Sequence, residues 1–99
     1  MSLELTKKIV KALDDKLARD IEVIKTEEVT IVADYFVIAA GTSNTQVRAL
    51  ADEVEEKMKE IGVYPSHLEG YNGGNWILMD YGDVIIHIFD KETEITVLN

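Results

Sequence analysis

The sequence predicts an α/β fold, a mixed β-sheet packed by helices, and three observations predict it. Two segments, Leu5 to Leu17 and Val47 to Ile61, repeat apolar residues at helical spacing. Several short runs rich in β-branched residues stand between and after them, closed off by Gly or Asp. The order helix, strand, strand, helix, then strands interleaves the two kinds of element, and each needs the other to bury its apolar side. All 99 residues are read as a single domain (1–99), because a chain of this length is too short to build two cores.

The first helix rests on Ile9, Leu13 and Leu17 at four-residue spacing, with Leu5 and Val10 beside them and Lys7, Lys8, Lys11 and Asp14 pointing elsewhere. "IEVIKT" (Ile21 to Thr26) and "YFVIAA" (Tyr35 to Ala40) read as strands, the second so uniformly apolar that burial on both faces is expected. Ser43 and Gln46 then stand in the S-x-x-Q spacing of a capping box, ahead of the stripe Val47, Leu50, Ala51, Val54, Met58 and Ile61. Gly62 follows the stripe, where a left-handed residue ends a helix most cheaply, and Pro65 keeps the helix from resuming. A short strand is expected at His67 to Glu69, and better ones at Trp76 to Asp80 and Val84 to Phe89. "DYGD" joins the last two as a tight hairpin turn.

Composition excludes several functions. Nineteen acidic against ten basic side chains leave a net charge of −9, so attraction to nucleic-acid phosphates is unfavourable and a basic protein is the natural charged partner. There is no cysteine, hence no disulfide, thiolate nucleophile or thiolate metal site. The opening residues lack the apolar core of a secretory signal and the arginine-rich character of a transit peptide, which is read as cytoplasmic, with no membrane partner.

Candidate chemistry is sparse. "NGGNW" leads into a strand, whereas phosphate-cradling loops lead into a helix whose first amides face the anion. "AGTSN" (Ala40 to Asn44) does run from a strand into a capped helix and resembles the Gly-Ser loop of nucleotidyltransferases. The alternative reading is therefore a metal-dependent nucleotidyltransferase-like enzyme using this loop with carboxylates at Glu69, Asp80 and Asp83. Against it, the paired aspartates that two-metal chemistry requires do not follow this helix. Asp80 and Asp83 flank Tyr81-Gly82 as a turn demands, and His87 alternates with Ile85 and Phe89 as a packed or hydrogen-bonded structural histidine. No catalytic residue, cofactor or metal is expected. What folding leaves unexplained is the gathering of Tyr64, Tyr71, Trp76 and Tyr81 near Glu69, Asp80 and Asp83, the residue types of an interface that pairs with Arg or Lys.

"ADYFVIAAGTSNTQVRALADEVEEKMKEIG" followed by "EGYNGGNWILMDYGDVIIHIF" resembles the ribosomal silencing factor (RsfS, Iojap) family over nearly the whole chain. The resemblance implies a noncatalytic translational repressor with a nucleotidyltransferase-like fold. It would bind the fourteenth large-subunit ribosomal protein at the face where the small subunit docks, with minor ribosomal RNA contact at most. Carried over by position, the partner-facing block falls on Trp76, Ile77, Leu78, Asp80 and Tyr81, with Glu69 and Tyr71 at its edge. Strand alternation separates Trp76, Leu78 and Asp80 from Ile77, Met79 and Tyr81, and the first set, an aromatic anchor with a carboxylate, is favoured. Family members continue beyond "HIF" into a tail rich in tyrosine and leucine, whereas this chain reads "DKETEITVLN", so a different tail is expected. Self-association into a homodimer through a sheet edge or the aromatic face is left open.

Overall fold

Residues 2–26 and 33–90 are described in the computed structural model. Helix α1 (Ser2–Asp15) buries Thr6, Ile9, Ala12 and Leu13 and is followed by strand β1 (Arg19–Lys25). Strand β2 (Tyr35–Gly41) leads into helix α2 (Asn44–Glu60), which is followed by β3 (His67–Glu69), β4 (Trp76–Asp80) and β5 (Val84–Asp90). The strands form one five-stranded sheet in the order β1-β2-β5-β4-β3. β2 and β5 run parallel in its middle and the remaining pairs are antiparallel.

The second helix begins and ends as its sequence requires. Ser43 is extended and its hydroxyl accepts from the Gln46 amide at 3.1 Å. The returning half of the box goes one residue further back than expected: Gln46 Oε1 accepts from the Thr42 amide at 2.5 Å and the Thr42 hydroxyl at 2.8 Å. At the other end Gly62 adopts φ 76°. Its amide donates to Lys59 O, and that of Val63 donates to Met58 O, each at 2.9 Å, the paired bonds of a Schellman cap.

Both helices lie on the same face of the sheet, where Ile9 and Leu13 of α1 and Val47, Leu50, Val54 and Met58 of α2 meet the strands. The sheet contributes Val37 and Ala39, Ile77 and Met79, and Val84, Ile86 and Ile88, every second residue of β2, β4 and β5. Each of the larger side chains stabilises the fold by about 1.5–3 kcal/mol through its removal from water. These six helical residues are fully buried, so neither helix retains an apolar stripe to cover the second sheet face.

Here the structure corrects the sequence. β2 was expected to be buried on both faces, yet Tyr35, Phe36 and Ile38 are only half-buried. Its apolar continuity reflects Val37 and Ala39 under the helices on one side and a helix-free face on the other. The altered tail, from Lys91 onward, lies outside the described residues.

Candidate partner-binding face

The helix-free face is built from the alternate residues of the three inner strands. Register sets Trp76 opposite Phe89, Leu78 opposite His87 and Asp80 opposite Ile85. Across β5, Phe36 stands opposite Ile85 and Ile38 opposite His87. On the outer side, Glu69 pairs with Leu78 and His67 with Asp80, which brings both onto this face. Pairing therefore assembles an aromatic and apolar centre with carboxylates along one side.

Trp76 is that centre's exposed member, with 46% of its surface open although its ring is held on two sides. The Phe89 ring lies 5.0 Å away and the His87 ring 6.1 Å. The indole N–H donates to His87 Nδ1 at 3.1 Å. Phe36 meets His87 edge-on at 5.7 Å. Burial pushes the His87 pKa below its ordinary value, favouring the neutral ring that this acceptor role requires. A pocket of about 260 Å³ opens beside the indole, lined by Glu69, Gly70, Trp76 and Leu78.

Asp80 is half-buried and used twice. Its Oδ1 accepts from the Gly82 amide at 2.8 Å, fixing the hairpin turn, and its Oδ2 lies 3.8 Å from His67 Nδ1. Gly82 takes φ 86°, the left-handed conformation that the turn requires.

The seven sequence-named residues separate into two groups. Glu69, Trp76, Leu78 and Asp80 share the open face. Ile77, Tyr71 and Tyr81 turn the other way: Ile77 is fully buried in the core, and the two tyrosines pack against it beneath the helices. The Tyr71 hydroxyl donates to both carboxylate oxygens of Asp52 on α2, at 2.9 and 3.1 Å, and this bond leads the causes that raise its pKa. Tyr81 is raised to about 12, first by burial and then by Glu55. Its hydroxyl has no hydrogen-bond partner among the described residues.

The glycine-rich segment is a bracket between sheet and helix. Gly70 has φ 81°, and a Cβ there would lie 2.0 Å from Trp76 O. Arg48 donates to Asn72 O at 3.2 Å, so Arg48 and Asp52, one turn apart on α2, hold the neighbouring loop residues Asn72 and Tyr71. With its amide oriented to suit its neighbours, Asn44 Nδ2 lies 3.1–3.3 Å from three acceptors, Gly74 O, Asn75 Oδ1 and Asp90 Oδ2, among which its two N–H groups are shared.

The pieces of the enzyme alternative are kept apart. The Ala40–Asn44 loop is at the Gly41–Asp90 end of the central strands and Asp80–Asp83 at the Tyr35–Val84 end, six residues or about 20 Å away. Two-metal chemistry needs its ions about 4 Å apart. The carboxylate that does reach the loop is Asp90, already bonded to Asn44. No three His, Asp or Glu side chains among the described residues are grouped to hold a cation.

His87, expected from sequence as a packed or hydrogen-bonded structural histidine, bonds to Trp76 in agreement with that, but the sequence does not single out that partner, nor the neighbouring rings of Phe89 and Phe36. Their role in holding Trp76 follows from strand register, which alternation within one strand does not reveal.

The chain matches the family described as "Ribosomal silencing factor during starvation" over residues 1–94. It is 42% identical over 81 residues to the ribosomal silencing factor RsfS of Bacillus subtilis (strain 168), spanning 82% of this chain and 69% of that one. With the protein of the same name from Halalkalibacterium halodurans it shares 38% over 89 residues, 90% of this chain and 76% of the other. A crystal structure from Bacillus halodurans superposes with a TM-score of 0.90 at 34% identity, covering 97% of this chain and 90% of its own. The fold is thus that of a known group, and the chain belongs to the ribosomal silencing factor family.

Proposed function

We propose that the protein binds the large ribosomal subunit through its helix-free sheet face and thereby prevents the small subunit from joining, lowering translation. The contact is with the fourteenth large-subunit ribosomal protein, the partner implied by the family resemblance, in the cytoplasm. The observation that carries the reading is Trp76: an indole with 46% of its surface open, held in place by Phe89 and His87, beside the Glu69 and Asp80 carboxylates. A held aromatic loses little entropy on binding and is the usual anchor of an interface. The carboxylates complement a basic ribosomal protein, as the net charge of −9 does at longer range.

Glu69, Trp76, Leu78 and Asp80 make the contact, while Tyr71 and Tyr81 brace the loop and hairpin from behind. No catalysis is needed: a body measuring 32 × 30 × 21 Å seated on a joining face keeps the subunits apart by bulk. Sedimentation with separated subunits tests this. Co-migration with the large subunit, and loss of joined ribosomes on titration, are expected. Migration with the small subunit, or joining unaffected at saturation, would overturn it. Trp76→Ala with Asp80→Lys should weaken capture by the isolated ribosomal protein while leaving the circular dichroism spectrum intact.

A further inference from the structure

We propose that the groove between α1 and β1 is a second docking site, which takes an extended, acid-flanked apolar segment of a protein partner as an added strand beside β1. β1 is the outermost strand on its side of the sheet among the described residues. Strand alternation turns Ile21 and Val23 toward α1, where they face Leu3 and Val10 across a groove of about 430 Å³. Leu3 and Val23 are nearly half open, at 47% and 45%. A peptide paired with the β1 edge would lay alternate side chains into this groove, the geometry of recognition by strand addition.

Charge specifies the occupant. The chain has ten basic and nineteen acidic side chains, of which six and five fall within residues 2–26, leaving four and fourteen elsewhere. An acidic segment is repelled by most of this molecule and least by the α1–β1 quarter. Lys7 and Lys11, one turn apart on α1, line the groove itself. Lys11 also reaches Asp15 at 3.5 Å, but both side chains are well exposed, so the pair is weak and readily exchanged. Asp14 lines the groove as well, which places the favourable charge toward the Lys7 side.

The site is short. Register shifts between Arg19 and Glu22, with Asp20 at φ 52°, so the regular edge runs only from Glu22 to Lys25. It suits a transient partner rather than a permanent subunit. β1 is three strand spacings from β4, about 14 Å, and the groove opens on the helix side of the sheet while Trp76 is on the helix-free side, so the two sites share no residue and neither proposal depends on the other.

Two synthetic peptides test it against the full chain: alternating valine and threonine flanked by paired glutamates, and the same core flanked by lysines. Backbone amide shifts should move in α1 up to Val10 and in β1 from Glu22 to Lys25, with the glutamate-flanked peptide binding roughly tenfold tighter. Lys7→Glu with Lys11→Glu should reverse that preference, and Val23→Glu should abolish binding. All three positions are on the surface, so the amide spectrum outside the groove should stay unchanged. Equal binding of the two peptides, no binding at millimolar concentration, or shifts centred on Trp76 would overturn the proposal. So would groove shifts that grow as the protein alone is concentrated, which would assign the groove to a second copy.

Discussion

The indole N–H of Trp76 donates to Nδ1 of His87 at 3.1 Å, on a diagonal between β4 and β5. This bond puts the imidazole proton on Nε2 and makes the exposed anchor of the sheet face depend on a neutral histidine. Protonation at Nδ1 would set one donor against another.

Stability should therefore fall in mild acid. Burial lowers the folded-state pKa of His87 below the unfolded value of 6.5, so the unfolded chain takes up the proton first. The His87 contribution is complete above about pH 6.5, declines as pH drops below it and levels off beneath the folded-state pKa. Urea midpoints between pH 7.5 and 5.5 should show the decline, and His87→Gln should flatten it. An equal slope in the variant would remove His87 as the cause.

Trp76→Ala separates folding from binding. Nearly half of the side chain is already open to water, so the stability cost should be about 1–2 kcal/mol, below that of a fully buried aromatic. Affinity for the large subunit should drop by about 2 kcal/mol or more, roughly thirtyfold. Denaturation and subunit binding measured on the same preparation give both numbers.

Gly70 and Gly82 have similar positive φ angles, 81° and 86°, but different surroundings. An added Cβ at Gly82 meets nothing within 4 Å, whereas at Gly70 it would overlap Trp76 O. Gly82→Ala should cost about 1 kcal/mol for conformation alone. Gly70→Ala should cost about 2–4 kcal/mol, the excess being steric. Matched chemical denaturation curves measure the difference.

Tyr81→Phe removes a buried hydroxyl that has no partner among the described residues. The change should be neutral or stabilise by up to about 1 kcal/mol, because no hydrogen bond is lost and a buried polar atom disappears. Subunit binding should stay within about twofold of wild type if Tyr81 only braces the hairpin. A larger loss of binding would return Tyr81 to the contact surface.

Much of the fold was legible because it rests on local chemistry. Ser43, Gly62 and the "DYGD" turn act within a few residues of themselves, and their sequence positions match the caps and the hairpin observed. Alternation likewise separated Trp76, Leu78 and Asp80 from Ile77 and Met79. The surroundings of Trp76 were not legible, since His87 and Phe89 reach it only through the β4–β5 register. The helix-free side of β2 was hidden for a related reason. Phe36 and Ile38 are as apolar as Val37 and Ala39, and only the placement of both helices on one side distinguishes them. Tyr71 was drawn toward α2 by Asp52, nineteen residues earlier, a distance at which spacing carries no signal.

The parallel pairing of β2 with β5 also dictates when the protein can exist as a folded object. Tyr35 meets Val84, and every partner in that ladder is forty-nine positions away in the chain. A nascent chain that has emerged through β4 still lacks the strand between β2 and β4, so its sheet is two unjoined pieces and its core has no floor. Contacts this distant in sequence form late and slowly. Under the proposed function, the ribosome making this protein must therefore have released β5 before the molecule acquires the folded surface with which it would act on a ribosome.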